Sequence, residues 1–118
     1  MEKTYDTKGR HVLVDMWGID TFLLENQSYI HTLCKLAVAK ARATFVDMVY
    51  KKFEPHGLTM LFLLEESHLS IHNYSEFGYS SIDCYCCGDA DPNVAIDYII
   101  KQLKPTKVIR REVTRGVQ

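Results

Sequence analysis

Residues 61–88 read LFLLEESHLSIHNYSEFGYSSIDCYCCG. The run Leu61-Phe62-Leu63-Leu64 has the composition of a core strand, and it stops abruptly at Glu65-Glu66-Ser67-His68. Packing supplies no reason for that stop, because a buried polar group without a partner costs roughly 2–7 kcal/mol. The break therefore marks a candidate site. Beyond it, Leu69 and Ile71 alternate with His68, Ser70 and His72, the period-2 pattern of a strand with one apolar and one polar face. Residues 73–78 interrupt the pattern, and residues 79–87 resume a strand.

Working outward, Gly88-Asp89-Ala90-Asp91-Pro92 supplies an N-cap aspartate followed by proline at the first helical position. The helix it opens would bury Ala95, Ile96, Ile99 and Leu103 and end before Pro105. Residues 107–113 read as a last edge strand. Upstream, residues 59–66 form a strand so apolar that a central place in the sheet is expected. Residues 44–53 form another strand by residue type, joined to it by a turn at Pro55-His56-Gly57. Asn26 is a plausible N-cap for a helix burying Ile30, Leu33, Cys34, Ala37 and Ala41 at helical spacing. Before it, residues 12–17 read as a first strand ended by Gly18, and residues 1–8 as a polar, frayed end. This order predicts an α+β two-layer sandwich, a mostly antiparallel sheet with two helices packed on one face. One domain spans residues 1–118, with no internal repeat and no linker.

Composition excludes several classes. A chain of 118 residues buries roughly two-thirds of its unfolded surface and folds without metal or disulfide staples. With 47% hydrophobic residues, 25% charged residues and a net charge of −1, nothing global draws it to nucleic acid or membrane. There is no signal-like start and no run of ~18 apolar residues, so a cytoplasmic location is expected. Cys34, Cys84, Cys86 and Cys87 then read as thiols. Cys84 and Cys86 share one strand face and suit a core; Cys87 has the opposite parity, adjoins Gly88, and is the thiol expected at a cleft.

Four chemistries compete for the central stretch. Metal binding would use His68, His72 and the cysteines, but on a strand the two histidines stand about 13 Å apart, too far for one zinc. Cys-x-Cys-Cys also lacks a zinc-knuckle spacer, so no metal is expected. A nucleic-acid surface would use Lys101, Lys104, Lys107, Arg110, Arg111 and Arg115. Acidic Asp83, Asp89, Asp91 and Asp97 lie nearby and no stacking motif is interleaved, so a solvated face or subunit contact is the better reading. A serine hydrolase would want a G-x-S-x-G turn around Ser67, which is missing. The fourth chemistry acts on the backbone: the Ser67 hydroxyl attacks the Glu66 carbonyl, the resulting ester eliminates, and the new chain begins with a pyruvoyl group, an electron sink comparable in role to pyridoxal phosphate. Glu-Ser is a common dipeptide, so spacing alone does not select it.

The residues around it do. EESHLSIHNYSEFGYSSIDCYCCGDADPNVA (residues 65–95) resembles the S-adenosylmethionine decarboxylase proenzymes of the short prokaryotic form. Their pattern runs close to SESHL-T/S-IH, an aromatic, P-E, x-G-Y, then a strand ending T-C-G and D-P. GRHVLVDMWG (residues 9–18) is similar to that family's opening strand, and Phe53-x-Pro55-x-Gly57 falls where the family has it. The chain departs from the pattern at Ser75, usually proline, at Cys86, usually threonine, and at Asp15, often glutamate.

The resemblance implies self-cleavage between Glu66 and Ser67 into chains 1–66 and 67–118, the second headed by a pyruvoyl made from Ser67. That group would form a Schiff base with the substrate, with neither metal nor pyridoxal phosphate. It implies that His72 assists processing, that Thr59 supports the processing intermediate, and that Cys87 protonates the substrate carbon after CO2 leaves. A thiol with an ordinary pKa of about 8.5 is mostly protonated at neutral pH and suits that task. Phe53 and Tyr74 match aromatics that flank adenine, and Glu76 matches an acid that binds the ribose hydroxyls. The implied reaction converts S-adenosylmethionine to its decarboxylated form, an aminopropyl donor for spermidine synthesis, in a cytoplasmic homodimer that binds neither nucleic acid nor membrane. Two alternatives accompany it: a pyruvoyl-dependent decarboxylase of ornithine or arginine, and a non-cleaving homologue serving as a regulatory partner.

Overall fold

The computed structural model describes residues 7–118, so the reading of residues 1–8 as frayed lies, for residues 1–6, outside the described residues. Six strands form one sheet: β1 (Gly9–Trp17), β2 (Phe45–Lys52), β3 (Leu58–Leu64), β4 (Ser67–Tyr74), β5 (Tyr79–Cys87) and β6 (Lys107–Arg115). Their order across the sheet is β2-β3-β4-β5-β1-β6, and every neighbouring pair is antiparallel. Three helices accompany it, α1 (Thr21–Glu25), α2 (Gln27–Lys40) and α3 (Pro92–Leu103), and a 3-10 turn (Ser75–Phe77) links β4 to β5.

The α+β sandwich expected from the pattern is present, with one more helix than the two anticipated. That extra helix, α1, is five residues long and capped by the Asp20 carboxylate, which accepts from the Phe22 N–H at 2.8 Å. Asn26 caps α2 by accepting from the Tyr29 N–H at 3.0 Å, and Asp91 caps α3 by accepting from Asn93 N–H at 3.0 Å. Each side chain satisfies one of the first-turn donors that have no partner within the helix. Leu24 of α1, Ile30, Leu33, Cys34 and Ala37 of α2, and Ala95, Ile96, Ile99 and Leu103 of α3 all join one core cluster.

The sheet's side of that core is every second residue: Val12, Val14 and Met16 on β1, Met60, Phe62 and Leu64 on β3, Leu69 and Ile71 on β4, Ile82, Cys84 and Cys86 on β5. The alternate residues face away from all three helices. The apolarity of β3 thus has two causes rather than one. The strand is flanked by β2 and β4, yet its Leu61 and Leu63 are 44% and 54% exposed on the face that no described helix covers. That open face also carries Leu13, Val49, Ile109 and Val113, all exposed. Solvated charge pairs occupy the other side of β6, where Arg110 donates to the Asp97 carboxylate at 2.6 Å.

Phe62 is 1% exposed and sits between the rings of His31 and Phe45, with centroids 6.0 and 6.2 Å away. Truncating such a side chain leaves a cavity as well as losing burial, so Phe62→Ala should lower unfolding free energy by about 3–5 kcal/mol in urea titration.

Candidate active site

The turn between β3 and β4 holds only Glu65 and Glu66. Thr44, ahead of β2, grips both: its carbonyl accepts from the Glu65 N–H at 3.0 Å, and its N–H donates to the Glu66 Oε1 at 2.9 Å. The Thr44 hydroxyl donates to Glu66 Oε2 at 3.3 Å. On the far side, the register of β4 against β5 sets Ser67 opposite Cys86. Cys87 then falls beside the turn, and its Sγ donates to the Glu66 carbonyl oxygen at 3.0 Å. The Cys87 backbone N–H reaches the same oxygen at 3.4 Å. Two donors therefore converge on the carbonyl of the peptide bond that joins Glu66 to Ser67.

Cys87 is half-buried, whereas the other three thiols are core residues. Burial pushes the Cys34 thiol up to about 12. Cys84 is also pushed up, by its contact with Cys86 at 3.7 Å and by burial. A polar cleft of about 410 Å³ opens beside Cys87, lined by Lys8, Gly9, Arg10, Cys86, Gly88 and Asp89.

The remaining sequence-predicted residues gather at the opposite end of β4. Thr59 and His72 face each other across β3 and β4, with Thr59 Oγ1 3.2 Å from His72 Nδ1. Tyr74 stacks on Tyr79 at 5.4 Å between centroids, and the Tyr79 hydroxyl donates to the Asp15 carboxylate at 2.6 Å. Glu76 is exposed in the 3-10 turn, and Phe53, 45% exposed, follows β2. Ser67 and His72 are five residues apart on one extended strand, or about 16 Å at ~3.3 Å per residue. The chain thus brings together Glu66, Ser67 and Cys87 at one end of β4, and Phe53, Thr59, His72, Tyr74 and Glu76 at the other. Within one protomer the two groups do not meet.

Between them lies a cluster that sequence reasoning missed. Asp83, on the open face of β5, accepts from His11 Nε2 at 2.7 Å and from His68 Nε2 at 2.9 Å, both through Oδ2. Its Oδ1 accepts from the Ser70 hydroxyl. Burial alone would raise the Asp83 carboxyl, but the bonds from His68, Ser70 and His11 outweigh it and hold the group well below the usual carboxylate range. The donor atoms of His11, His68 and Asp83 lie within 4.8 Å of one another and make the sole cluster of potential metal ligands among the described residues. Hydrogen bonds between the rings and the carboxylate already account for it without an ion. The parity of His68 and Ser70 is visible in the sequence, but their partner on the neighbouring strand β5 depends on register and is not.

The class so defined is a two-layer α+β protein with an open sheet face and an internal Glu-Ser peptide gripped by a thiol. The family model for S-adenosylmethionine decarboxylase matches residues 10–116, and the chain belongs to that family. It is 43% identical over 114 residues to S-adenosylmethionine decarboxylase proenzyme 2 of Bacillus anthracis, covering 96% of this chain and 93% of that protein. It is 44% identical over 114 residues to the corresponding proenzyme of Brevibacillus brevis, covering 96% and 86%. Among solved structures, the adenosylmethionine decarboxylase of Aquifex aeolicus VF5 superposes with a TM-score of 0.87 at 38% identity, over 96% of this chain and 94% of that one.

A carboxylate held below its unfolded value of 3.8 stabilises the fold above that pH and loses its contribution as pH falls toward the folded value. Asp83→Asn should therefore cost about 1–3 kcal/mol at neutral pH. The gap to the parent protein should narrow in chemical denaturation between about pH 5 and pH 2.5.

Proposed function

We propose that the chain is the precursor of a pyruvoyl-dependent S-adenosylmethionine decarboxylase that cuts itself between Glu66 and Ser67. The observation that carries this reading is the convergence of the Cys87 S–H and N–H on the Glu66 carbonyl oxygen, at 3.0 and 3.4 Å. Donors aimed at a carbonyl oxygen stabilise the negative charge that develops there when the carbon is attacked. The Ser67 Oγ is the attacking atom available in the chain. A bond forms from Oγ to the Glu66 carbonyl carbon, the peptide C–N bond breaks, and the nitrogen takes the hydroxyl proton. Loss of the Ser67 α-proton then expels the Glu66 carboxylate, and hydrolysis with loss of ammonia leaves residue 67 as pyruvoyl. Thr44 holds the departing Glu66 carboxylate by two hydrogen bonds and accepts a third from the Glu65 N–H.

When present, that group supplies an electrophilic carbonyl and an electron sink for the pair left behind by CO2. The chain's own residues do the rest. Cys87 sits beside residue 67 with a proton to deliver to the substrate carbon. Phe53 and Tyr74 offer exposed ring faces for adenine, and Glu76 offers an exposed carboxylate for the ribose hydroxyls. These groups favour a nucleoside-bearing substrate over ornithine or arginine, which have no rings to stack.

The separation along β4 favours a site completed by a second protomer. Two copies packed through their open faces about a twofold axis, with β4 strands running in opposite directions, set the Thr59–His72 end of one against the Ser67–Cys87 end of the other. Leu13, Val49, Leu61, Leu63, Ile109 and Val113 would be buried in that contact, a favourable term of roughly 25 cal/mol per Å² of apolar surface covered. His72 of the partner subunit would then take the Ser67 α-proton, with Thr59 of the partner subunit holding its imidazole. No described helix is long and apolar enough to cross a membrane, and the proposed setting is the cytoplasm.

The protein should release CO2 from carboxyl-labelled S-adenosylmethionine and not from ornithine or arginine. Glu76→Ala should raise KM for S-adenosylmethionine about tenfold or more with a smaller change in kcat; an unchanged KM would point to a smaller amino acid. Ser67→Ala and His72→Ala should each fail to cut alone. Refolded together, they should cut at most half of the chains, all of them carrying His72→Ala; a mixture that stays uncut would refute the shared site.

A further inference from the structure

Asp83 stands on the same strand and the same face as Cys87, four residues earlier, and its Oδ2 holds His68, the residue that follows Ser67. The His68 ring is fixed on other sides too, edge-on to His11 at 5.8 Å and tilted over Tyr85 at 6.1 Å. Tyr85 is itself capped by the Arg115 guanidinium, 4.8 Å from its ring. In the intact chain residue 67 has a second restraint, because Glu66 on its amino side is gripped by Thr44 and Cys87. Cleavage removes that restraint. Residues 67 and 68 become the start of a chain, and chain ends fray unless something ties them down. The side-chain tie that remains is His68 to Asp83.

We infer that Asp83 is a positioning residue which, through His68, holds the group made from Ser67 against the Cys87 thiol after the chain is cut, and so decides which carbon receives the thiol's proton. This rests on the function proposed above. With the geometry held, loss of CO2 leaves its electron pair on the substrate, and the Cys87 proton goes to the substrate carbon. The thiolate then recovers a proton from water, and the amine product departs. With the geometry loose, the proton goes to the carbon of residue 67 instead. Hydrolysis then leaves the substrate's nitrogen on residue 67, which becomes alanine, and the substrate leaves as an aldehyde carrying the oxygen of water. The nitrogen's former carbon is oxidised and residue 67 is reduced, so the balance closes without another reagent. An alanine-headed chain is permanently inactive. A displacement of about 1 Å is enough to cost two orders of magnitude in a positioned proton transfer.

The test counts both outcomes on cleaved protein. Parent, Asp83→Asn, His68→Phe and His68→Gln proteins are incubated with S-adenosylmethionine until activity is exhausted. Released CO2 is measured against alanine-headed chains, which Edman degradation reads from residue 67 onward and a pyruvoyl blocks. Asp83→Asn and His68→Phe should each release at least tenfold less CO2 per alanine-headed chain than the parent. His68→Gln keeps an N–H for the carboxylate and should fall closer to the parent. Should Asp83→Asn fail to fold or cut, His68→Phe, which leaves Asp83 paired with His11 and Ser70, carries the test alone. A parent-like ratio in His68→Phe overturns the inference even if stability falls, because a merely structural tie changes the amount of folded protein and not this ratio. A parent protein that never cuts overturns the underlying function and this inference with it; a parent that cuts normally beside variants with unchanged ratios overturns this inference alone.

Discussion

The pairing of β4 with β5 in one register is the constraint on which the rest depends. Ser67 opposite Cys86 puts the Cys87 thiol 3.0 Å from the Glu66 carbonyl, and Ser70 opposite Asp83 puts the carboxylate between His68 and His11. A slip of β4 by a single residue would turn Leu69 and Ile71 out of the core and His68 and Ser70 into it, since side chains alternate between faces. Burying an imidazole and a hydroxyl away from their Asp83 partner while exposing two aliphatic side chains is expensive on both counts. The same alternation that drives folding thus holds the Glu66–Ser67 peptide in place. Thr44 then fixes the turn from the other side, so neither half of the Glu66–Ser67 bond is free to relax.

A second consequence is the division of labour between the sheet's two faces. The helix side is conventional: α2 and α3 cover Val12, Phe62, Leu69, Ile82 and their neighbours, and three thiols serve there as small apolar groups. The open side mixes exposed aliphatics with the part-buried His68, His72, Asp83 and Tyr79 and the buried Ser70. A polar network of this kind is held together by mutual hydrogen bonds and gains strength where water is excluded. Pairing of two open faces would exclude it, and would also unite the two ends of β4 that one chain keeps about 16 Å apart.

Much of this was legible in the sequence because it rests on local rules. The alternation of Leu69 and Ile71 with His68, Ser70 and His72, the caps at Asn26 and Asp91, and the opposite parity of Cys87 to Cys84 and Cys86 all need only the periods of strands and helices. What escaped was of two kinds. Helix α1 is a five-residue turn whose TFLLE pattern is too short to carry a 3.6-residue period, and its stability comes from Asp20 and from packing of Leu24. The apolarity of residues 59–66 points to a central strand, and β3 does lie between β2 and β4, but the pattern does not show that Leu61 and Leu63 stand on a face no described helix covers. The strand period separates His68 from His72 but does not supply a partner for His68, which is Asp83 on the neighbouring strand; that pairing depends on register, which no single-strand pattern contains. The resemblance to the decarboxylase proenzymes grouped Ser67, His72 and Cys87 in one site, and the length of β4 explains why a single fold of the chain does not.

Whether the chain makes its own reactive group at residue 67 can be read by denaturing mass spectrometry with and without prior borohydride reduction. Two chains divided between Glu66 and Ser67 are expected, with the smaller, beginning at residue 67, gaining mass on reduction and the larger unchanged. A single uncut chain after long incubation of the folded protein, or a cut chain whose residue 67 ignores borohydride, would contradict that expectation.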